Sequence, residues 1–333
     1  MRRFLTLFCL CVIAVAAPAQ TKLNGAGATF PYPIYSKWFS DYHNAHPDVE
    51  INYQSIGSGG GIRQVTSGTV DFGASDGPMS DQQLSDSKVK IYHIPTVLGS
   101  VVPAYNVPGV GGDLKFTGAI LANIFLGHIT SWNDAAIVKE NPGAKLPNLP
   151  IVVVHRSDGS GTTYVWTDYL SKVSPEWAGG PSKNTSVKWP LGLGAKGNEG
   201  VAGMVRQTEG AIGYIELIYA EQNKIAFGVV KNAAGQYIKA SLGSTTAAAA
   251  SAKMPSDYRV SITNAPGKEA YPISSFTWLL IPAHNADANK QKIIVDFLNW
   301  MVTDGQKETT QLTYAPLPAE VATKVKATIA SIK

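Results

Sequence analysis

A glycine-bearing turn between an apolar segment and a helical pattern constrains this chain more than any other feature. Ile151–Val154 is an unbroken run of β-branched residues, which is typical of a buried strand. The turn Arg156–Thr163 follows it, and apolar residues then recur at helical spacing as far as Val173. A strand that enters a helix in this way leaves unpaired backbone N–H groups at the helix start, where the helix dipole favours an anion.

Polar side chains in the same turn strengthen that prediction. Ser160 and Thr162 add hydroxyl groups, and Arg156 adds a planar cation that can donate several hydrogen bonds to one anion. The turn therefore predicts an oxyanion receptor. An ordinary capped helix with a solvated arginine would give the same local sequence, because serine and threonine are common helix caps. The remainder of the chain has to decide between the two.

The first 19 residues predict export. Two arginines, the apolar run Phe4–Ala16 and a small-residue stretch ending at Ala19 form the three parts of a secretory signal peptide. Cys9 and Cys11, the two cysteines of the chain, lie within it, and the residues before them fit a lipoprotein cleavage box poorly. We therefore expect a soluble exported protein that begins near Gln20, without a lipid anchor, a disulfide or a thiolate metal site.

Composition and charge exclude other classes of protein. The 333 residues are 44% apolar and 16% charged, which is typical of a globular chain with room for two domains. Loss of Arg2 and Arg3 with the signal peptide lowers the formal net charge from +4 to +2. A nucleic-acid-binding protein would carry a clustered excess of basic residues, whereas the basic residues here are scattered. We expect no nucleic-acid partner.

Three further segments predict turns that can approach a ligand closely. Thr29 and Phe30 lie in a glycine-rich turn that leads into an apolar helical face. Ser58 lies among four glycines after an alternating strand, and it is predicted to cap the next helix. Asp76 ends a short strand, although aspartate before Gly-Pro often only caps a turn. The glycine spacing fits neither a Rossmann fingerprint nor a nucleotide P-loop, so no nucleotide cofactor is expected.

Strand and helix patterns alternate along the chain, which predicts an α/β fold with helices covering a sheet. Two long extended segments, Tyr92–Asn106 and Ile273–Ile281, are predicted to cross between two lobes and to form a hinge. The first lobe would then be discontinuous, residues 20–102 and 271–333, and the second would be residues 103–270. Strand–turn–helix sites from both lobes would face one cleft, because ligands of open α/β sheets bind at the carboxyl ends of strands.

Four motifs in this order resemble the periplasmic phosphate-binding proteins of phosphate ABC transporters. They are Gly25–Pro31, Gly57–Gly61, Asp71–Asp76 and Arg156–Thr162, and the similarity covers nearly the whole chain after the signal peptide. The resemblance implies a type II periplasmic binding fold: two lobes, each a mixed sheet flanked by helices, joined by a two-strand hinge and closing over one phosphate. It also implies a monomeric receptor, not an enzyme, without cofactor or metal, which delivers phosphate to a membrane permease driven by a cytoplasmic ATPase.

The resemblance assigns the phosphate contacts residue by residue. The matching positions in this sequence are Thr29, Phe30, Ser58, Asp76, Arg156, Ser160, Gly161 and Thr162. Asp158 would hold the guanidinium of Arg156 in place and offset part of its charge. Asp76 is the most informative contact, because a carboxylate can accept a hydrogen bond from protonated phosphate but would face a bare sulfate with like charge.

A secreted hydrolase, and an adhesion or signalling protein that reuses the fold, remain open alternatives. Ser160 lacks the first glycine of a Gly-x-Ser-x-Gly elbow, and His155 is the nearest histidine in sequence that could act as its base. His43 and His46 are three residues apart on a predicted helix end, where a solvated surface is a simpler interpretation than a metal site. Turnover of a phosphate ester, or binding of a protein partner, would distinguish these alternatives.

Overall fold

Short runs of apolar and β-branched residues form the strands of the protein. The computed structural model describes residues 20–110 and 113–332, so the predicted signal peptide, residues 1–19, lies outside the described part. The strands are β1 (Thr21–Gly27), β2 (Val49–Ser55), β3 (Phe72–Ser75), β4 (Ile91–Tyr105), β5 (Lys115–Phe116), β6 (Val152–Arg156), β7 (Leu193–Ala195), β8 (Ala211–Glu216), β9 (Ala226–Phe227), β10 (Val229–Lys231), β11 (Tyr237–Ile238) and β12 (Ser274–Pro282).

Helices alternate with these strands, as the sequence predicts. They are α1 (Tyr32–Ala45), α2 (Ser58–Ser67), α3 (Asp81–Ser85), α4 (Gly118–Leu126), α5 (Ala135–Glu140), α6 (Gly161–Val173), α7 (Pro175–Gly179), α8 (Gly197–Gln207), α9 (Leu217–Gln222), α10 (Leu242–Ala250), α11 (Ala288–Met301), α12 (Ala319–Ile329) and a 3-10 helix (Gly305–Leu312). Local chemistry sets several of their ends. For example, the Thr117 hydroxyl accepts the Ile120 N–H at the start of α4, and Gly127 ends that helix in a left-handed conformation (φ 83°).

One large sheet runs through the molecule in the order β2-β1-β3-β12-β4-β8-β6-β7, and β9 pairs with the end of β4. Strands β1, β2 and β3 are parallel, as are β6, β7 and β8, whereas β12 runs antiparallel to both β3 and β4. Each side of the sheet is therefore mixed. A small separate sheet contains β5, β10 and β11.

Strand β4 belongs to both sides of this sheet. Its first part, Ile91–Ser100, pairs with β12, and its last part, Val101–Tyr105, pairs with β8. We call β1, β2, β3, β12 and the first part of β4 the first half, and β6, β7, β8 and the last part of β4 the second half. The predicted α/β fold of two lobes joined by long strands is confirmed. The lobe boundaries near residues 102 and 270 stay a prediction, although β4 changes partner close to the first of them.

Aromatic clusters fill the core on each side. In the first half, Phe39 packs against Phe297, with ring centroids 5.4 Å apart, and against Phe72 at 6.0 Å. In the second half, Trp166 stacks on Tyr214 at 5.2 Å, directly behind the end of β6. Tyr214 also accepts a hydrogen bond from the backbone N–H of Arg156 at 3.0 Å, so this cluster positions the turn that the sequence singles out.

No helix within the described ranges combines the length and the apolar character needed to cross a membrane.

Candidate anion-binding site

Four helix N-termini meet between the two halves of the sheet. Thr29 and Phe30 lie in the turn before α1, Ser58 is the first residue of α2, Gly161 is the first of α6, and Asn198 is the second of α8. All five residues are buried. Backbone N–H groups at such positions have no partner within their own helix, and the helix dipoles point their positive ends at the same space. The arrangement favours a small anion.

Arg156 supplies the positive charge of the site, and its guanidinium is held in one plane. Its Nε donates to Asp158 Oδ1 at 2.8 Å and its Nη2 to Asp158 Oδ2 at 2.5 Å. The remaining Nη1 donates to Thr162 Oγ1 at 3.3 Å. Because the Arg156 side chain is only 1% exposed and its pairing is bidentate, the N–H groups not used by Asp158 keep a fixed direction.

The N-terminus of α8 holds Asp158 in place. The Gly197 N–H donates to Asp158 Oδ1 at 3.1 Å. Burial by itself would raise the pKa of Asp158, but hydrogen bonds and charge attraction from Arg156 keep that pKa below its ordinary value. Asp158 is therefore ionised at neutral pH. The Arg156–Asp158 pair offers directed hydrogen-bond donors without a full uncompensated charge.

Asp76 brings a buried acceptor to the same space. Its side-chain Oδ1 accepts from the Thr277 hydroxyl at 2.8 Å, and its backbone N–H donates to Ser58 Oγ at 3.2 Å. Within residues 20–110 and 113–332, its Oδ2 has no hydrogen-bond partner. Burial raises the pKa of Asp76 to about 7, against the opposing influence of Thr277 and Arg156. A buried carboxyl with a free oxygen fits a ligand that carries a hydrogen-bonding proton.

The two halves are closed over this space. Gly161 of the second half lies so near the first half that a Cβ there would clash with Asp76 Oδ2 and Ser58 Oγ. At one edge, the Gly59 N–H donates to the Gly159 carbonyl at 2.9 Å. The side chains that line this space are at most 3% exposed, so a ligand can enter or leave only when the halves separate; they belong to Thr29, Ser58, Asp76, Arg156, Ser160, Thr162 and Asn198.

The predicted capping role of Ser58 is wrong. Gly57 occupies the cap position of α2 with a positive φ of 86° and an extended ψ of 154°, a conformation that glycine adopts freely, and no side-chain hydrogen bond caps this helix. Ser58 is thereby shifted into the first turn, where its hydroxyl faces Asp76. In α6 the cap is Ser160, whose Oγ accepts the Thr163 N–H at 3.0 Å.

The sequence analysis does not predict two residues of the site, Asn198 and Thr277. Asn198 Nδ2 donates to Thr29 Oγ1 at 2.7 Å and to Thr162 Oγ1 at 3.0 Å. The Thr277 hydroxyl donates to Asp76 Oδ1. The available signal for Thr277 is a hydroxyl in an otherwise apolar strand, and for Asn198 an amide directly after the glycine-rich stretch. Neither signal indicates which residue is contacted, because the contacted residue lies far away in sequence.

Comparison with known proteins places the chain in a family. A family model described as a PBP superfamily domain matches residues 14–305. A phosphate-binding protein PstS from Xylella fastidiosa (strain Temecula1) is 48% identical over 315 residues, covering 94% of this chain and 86% of that protein. Another from Pasteurella multocida (strain Pm70) is 45% identical over 329 residues, covering 98% and 94%. The chain belongs to the PstS phosphate-binding protein family.

Solved structures agree with this PstS membership at the level of the fold. A high affinity periplasmic phosphate-binding protein, PfluDING, solved with bound phosphate, superposes with a TM-score of 0.76 at 24% identity, covering 92% of this chain and 93% of that one. A phosphate binding protein from Stenotrophomonas maltophilia gives 0.71 at 19% identity, with the same coverage. At these identities the likeness concerns the fold alone.

The serine and histidines that a hydrolase or a metal site would use make other contacts in this protein. Ser160 caps α6, while His155 stacks on Trp189 with ring centroids 4.8 Å apart. The His43 Nδ1 hydrogen-bonds the Val49 carbonyl at 2.6 Å, and the His46 ring packs at a tilt against Tyr42, with ring centroids 4.4 Å apart. In the described residues, no group of three or more His, Cys, Asp and Glu side chains could hold a metal ion.

Proposed function

We propose that this chain is a receptor that binds inorganic phosphate in the periplasm and delivers it to an ABC-transporter permease for import. The PstS relatives are named for phosphate binding. The observation that carries the proposal is the buried Asp76, whose Oδ2 has no hydrogen-bond partner among the described residues and lies beside Gly161 at the start of α6. A donor-only site would suit any oxyanion, whereas this acceptor suits an oxyanion that still carries a proton.

The ligand set of the proposal combines backbone and side-chain donors. Arg156 would donate from the N–H groups that Asp158 leaves free, and the helix N-termini would donate from their first backbone N–H groups. Asp158 would support the ligand indirectly by fixing the guanidinium. The proposed phosphate contacts are Thr29, Phe30, Ser58, Asp76, Arg156, Ser160, Gly161 and Thr162.

Selectivity for phosphate over sulfate depends on the protons that the anion carries and not on its size. Phosphate keeps at least one proton near neutral pH and can donate it to Asp76 Oδ2, whereas sulfate has none and would face the carboxylate with like charge. Arsenate has the same protons and shape as phosphate. The site is therefore expected to reject sulfate and to accept arsenate.

Transport requires that the receptor open and close. We infer a first lobe of residues 20–102 and 271–333 and a second lobe of residues 103–270, which swing about β4 and β12. Phosphate contacts residues of both lobes, so it binds the closed form better and shifts the population toward it. A permease that prefers the closed form would then receive loaded receptors, with import driven by a cytoplasmic ATPase.

The same proposal describes a monomeric binding protein, not an enzyme, which uses no cofactor. The relatives are binding proteins, and Ser160 and His155 share no hydrogen bond in the part of the chain that the structure describes. Incubation with p-nitrophenyl phosphate is expected to release no nitrophenol, and turnover of this ester would revive the hydrolase alternative.

Equilibrium dialysis tests the proposal directly. The chain from Gln20 onward is dialysed against labelled phosphate at pH 8, alone, with excess sulfate and with excess arsenate. One phosphate per chain, displaced by arsenate but resistant to sulfate, is expected. Absence of phosphate binding would overturn the function, and equal displacement by sulfate would overturn the role of Asp76.

A further inference from the structure

The Asn198 side chain contacts hydroxyl groups on both sides of the closed site described above. Its Nδ2 donates one hydrogen to Thr29 Oγ1 at 2.7 Å and the other to Thr162 Oγ1 at 3.0 Å. Thr29 precedes α1 in the first half, whereas Thr162 lies in α6 of the second half. The side chain is fully buried, so water does not compete for these bonds.

The backbone of Glu216 fixes the orientation of the Asn198 side-chain amide. Its Oδ1 accepts the backbone N–H of Glu216 at 2.9 Å, and that donor can bond only to the oxygen of the amide. The NH₂ group must therefore face the two threonines. A flipped amide would place a donor against the Glu216 N–H and an acceptor against both hydroxyls, and it would lose the bond to Glu216.

Both threonine oxygens have their acceptor capacity filled. Thr29 Oγ1 also accepts the Asn198 backbone N–H at 3.2 Å, and Thr162 Oγ1 also accepts from Arg156 Nη1 at 3.3 Å. A hydroxyl oxygen has two lone pairs and one hydrogen, so two accepted bonds leave each hydroxyl only the role of donor. Among the described residues, neither hydroxyl donates to a protein acceptor.

We propose that Asn198 is a positioning residue for phosphate binding, which occupies the lone pairs of Thr29 and Thr162 and so directs both hydroxyl hydrogens to the bound oxyanion. This inference rests on the proposed function. A free hydroxyl rotates and can turn a lone pair toward the anion, and that lone pair repels the anion. The Thr162 hydroxyl lies in the same half as Asn198 and is set before the ligand arrives, whereas the Thr29 hydroxyl becomes set as the halves close. Preorganised donors bind more tightly because less order is lost on binding.

A double-mutant cycle between Asn198 and Thr162 tests the inference. Phosphate affinity is measured for the parent, Asn198→Ala, Thr162→Val and the double variant. We expect Asn198→Ala to weaken binding by about tenfold or more, in line with the loss of well-directed hydrogen bonds to a charged ligand. In the Thr162→Val background the loss from Asn198→Ala should shrink, since one of the two hydroxyls that it orients is gone.

Pairing the variant with Thr162 distinguishes a residue that orients hydroxyl groups from one that only holds the two halves together. Asn198 and Thr162 lie in the same half, so a residue that only braced the two halves together would act through Thr29 and its effect would not depend on Thr162. Asn232→Ala is the matched control, because Asn232 is also buried and donates to the carbonyls of Lys268 and Ala270 in a region that includes none of the proposed phosphate contacts. It should lower thermal stability and leave phosphate affinity unchanged.

A second variant keeps the inference testable if Asn198→Ala does not fold. Asn198→Asp has the same shape and can still accept the Glu216 N–H, but its other oxygen would accept from the threonine hydroxyls and turn them away from the ligand. We expect a loss of affinity larger than for Asn198→Ala, part of which disappears in the Thr162→Val background. Repulsion by the added charge remains there and accounts for the rest.

The outcomes separate the two proposals. If the parent protein binds no phosphate, the proposed function fails, whatever the variants do. If the parent binds phosphate while Asn198→Ala or Asn198→Asp binds it equally well, the positioning role is wrong. Losses that are fully additive between Asn198 and Thr162 would also overturn it.

Discussion

Asp76 shows how one buried carboxyl can link selectivity to pH. Its pKa in the closed site is about 7, well above the ordinary value near 4, because burial disfavours the charged form. Below pH 7 the group therefore holds a proton and can donate to sulfate. Above pH 7 it is a carboxylate that sulfate cannot approach without repulsion.

We predict that sulfate competes with phosphate more strongly as the pH falls from about 8 to about 5. Asp76→Asn should remove this dependence, because its amide donates at every pH. At pH 8, one unit above the pKa, the variant should bind sulfate at least about tenfold better than the parent does. Competition dialysis at several pH values measures both effects, with arsenate as a competitor whose strength should change little. A variant that rejects sulfate as the parent does would refute this account.

Arg156 provides a second prediction at the residue scale. Removal of its guanidinium in Arg156→Ala deletes the fixed donors of the site and leaves the Asp158 carboxylate beside the entering anion. Phosphate affinity should fall by at least about 30-fold, since truncating one member of a buried charge pair costs about 2–5 kcal/mol. Arg206→Ala, which removes an exposed arginine of α8, is the control and should bind as the parent does. Unchanged affinity in Arg156→Ala would remove this residue from the site.

At the scale of single elements, the start of α6 shows how tightly the helix ends fit together. Gly161 does not adopt a left-handed φ, so alanine suits its own helix, yet a Cβ there would clash with Asp76 and Ser58 of the opposite half. The clash exists only while the halves are closed.

Gly161→Ala is therefore predicted to fold normally and to bind phosphate at least about tenfold more weakly, because the added methyl group obstructs closing or displaces Asp76. Gly203→Ala is a matched control, since Gly203 lies in α8 with open space around its Cβ position. The control should be as stable as the parent or slightly more so, by up to about 1 kcal/mol. Thermal melting and dialysis of the two variants side by side would show the difference, and equal affinities would contradict the closed geometry.

The elements themselves were largely predictable from sequence, whereas the contacts between distant elements were not. The β-branched run before Arg156, the glycine turn and the helical spacing after it are local signals, and α6 follows them. The cap of α2 was misassigned by one residue because a glycine and a serine can both precede a helix, and only the backbone conformation of Gly57 decides between them. Asn198 and Thr277 act on partners 36 to 201 residues away, and no local pattern encodes such pairings.

For the molecule as a whole, burial of the site makes opening a necessary step. Gly59 and Gly159 meet at the edge of the closed halves, and a Cβ on either one would lie 3.2 Å from the Cα of the other. The two Cα atoms therefore lie at most about 4.7 Å apart, near the lower end of the roughly 4.4–6.8 Å that disulfides span, so the turns must part slightly to accept a cysteine pair.

Gly59→Cys/Gly159→Cys should lock the halves when it is oxidised. If phosphate is bound first, oxidation is expected to make its release many times slower, and a reductant should restore exchange. If the protein is oxidised while empty, phosphate should be excluded. The cysteines of the natural sequence lie within residues 1–19, so the new pair has no competitor in the chain from Gln20, and Gly59→Cys alone is the control. Unchanged exchange after complete oxidation would show that phosphate reaches its site without separation of these two turns.

Because β4 belongs to both halves of the sheet, it also determines whether the chain can be cut into fragments that fold separately. A fragment that ends near Ser100 would contain the first part of β4 but not β12, the strand that pairs with it. In the sequence, β12 comes only after the whole of the second half. A fragment that starts near Ser100 would leave β12 without its partners β3 and the first part of β4, and exposed strand edges invite pairing with other chains. Neither lobe is thus an independent module that could be expressed, exchanged or duplicated by itself. The two should unfold in a single transition, and tolerated insertions should lie in surface loops rather than at the boundary between lobes.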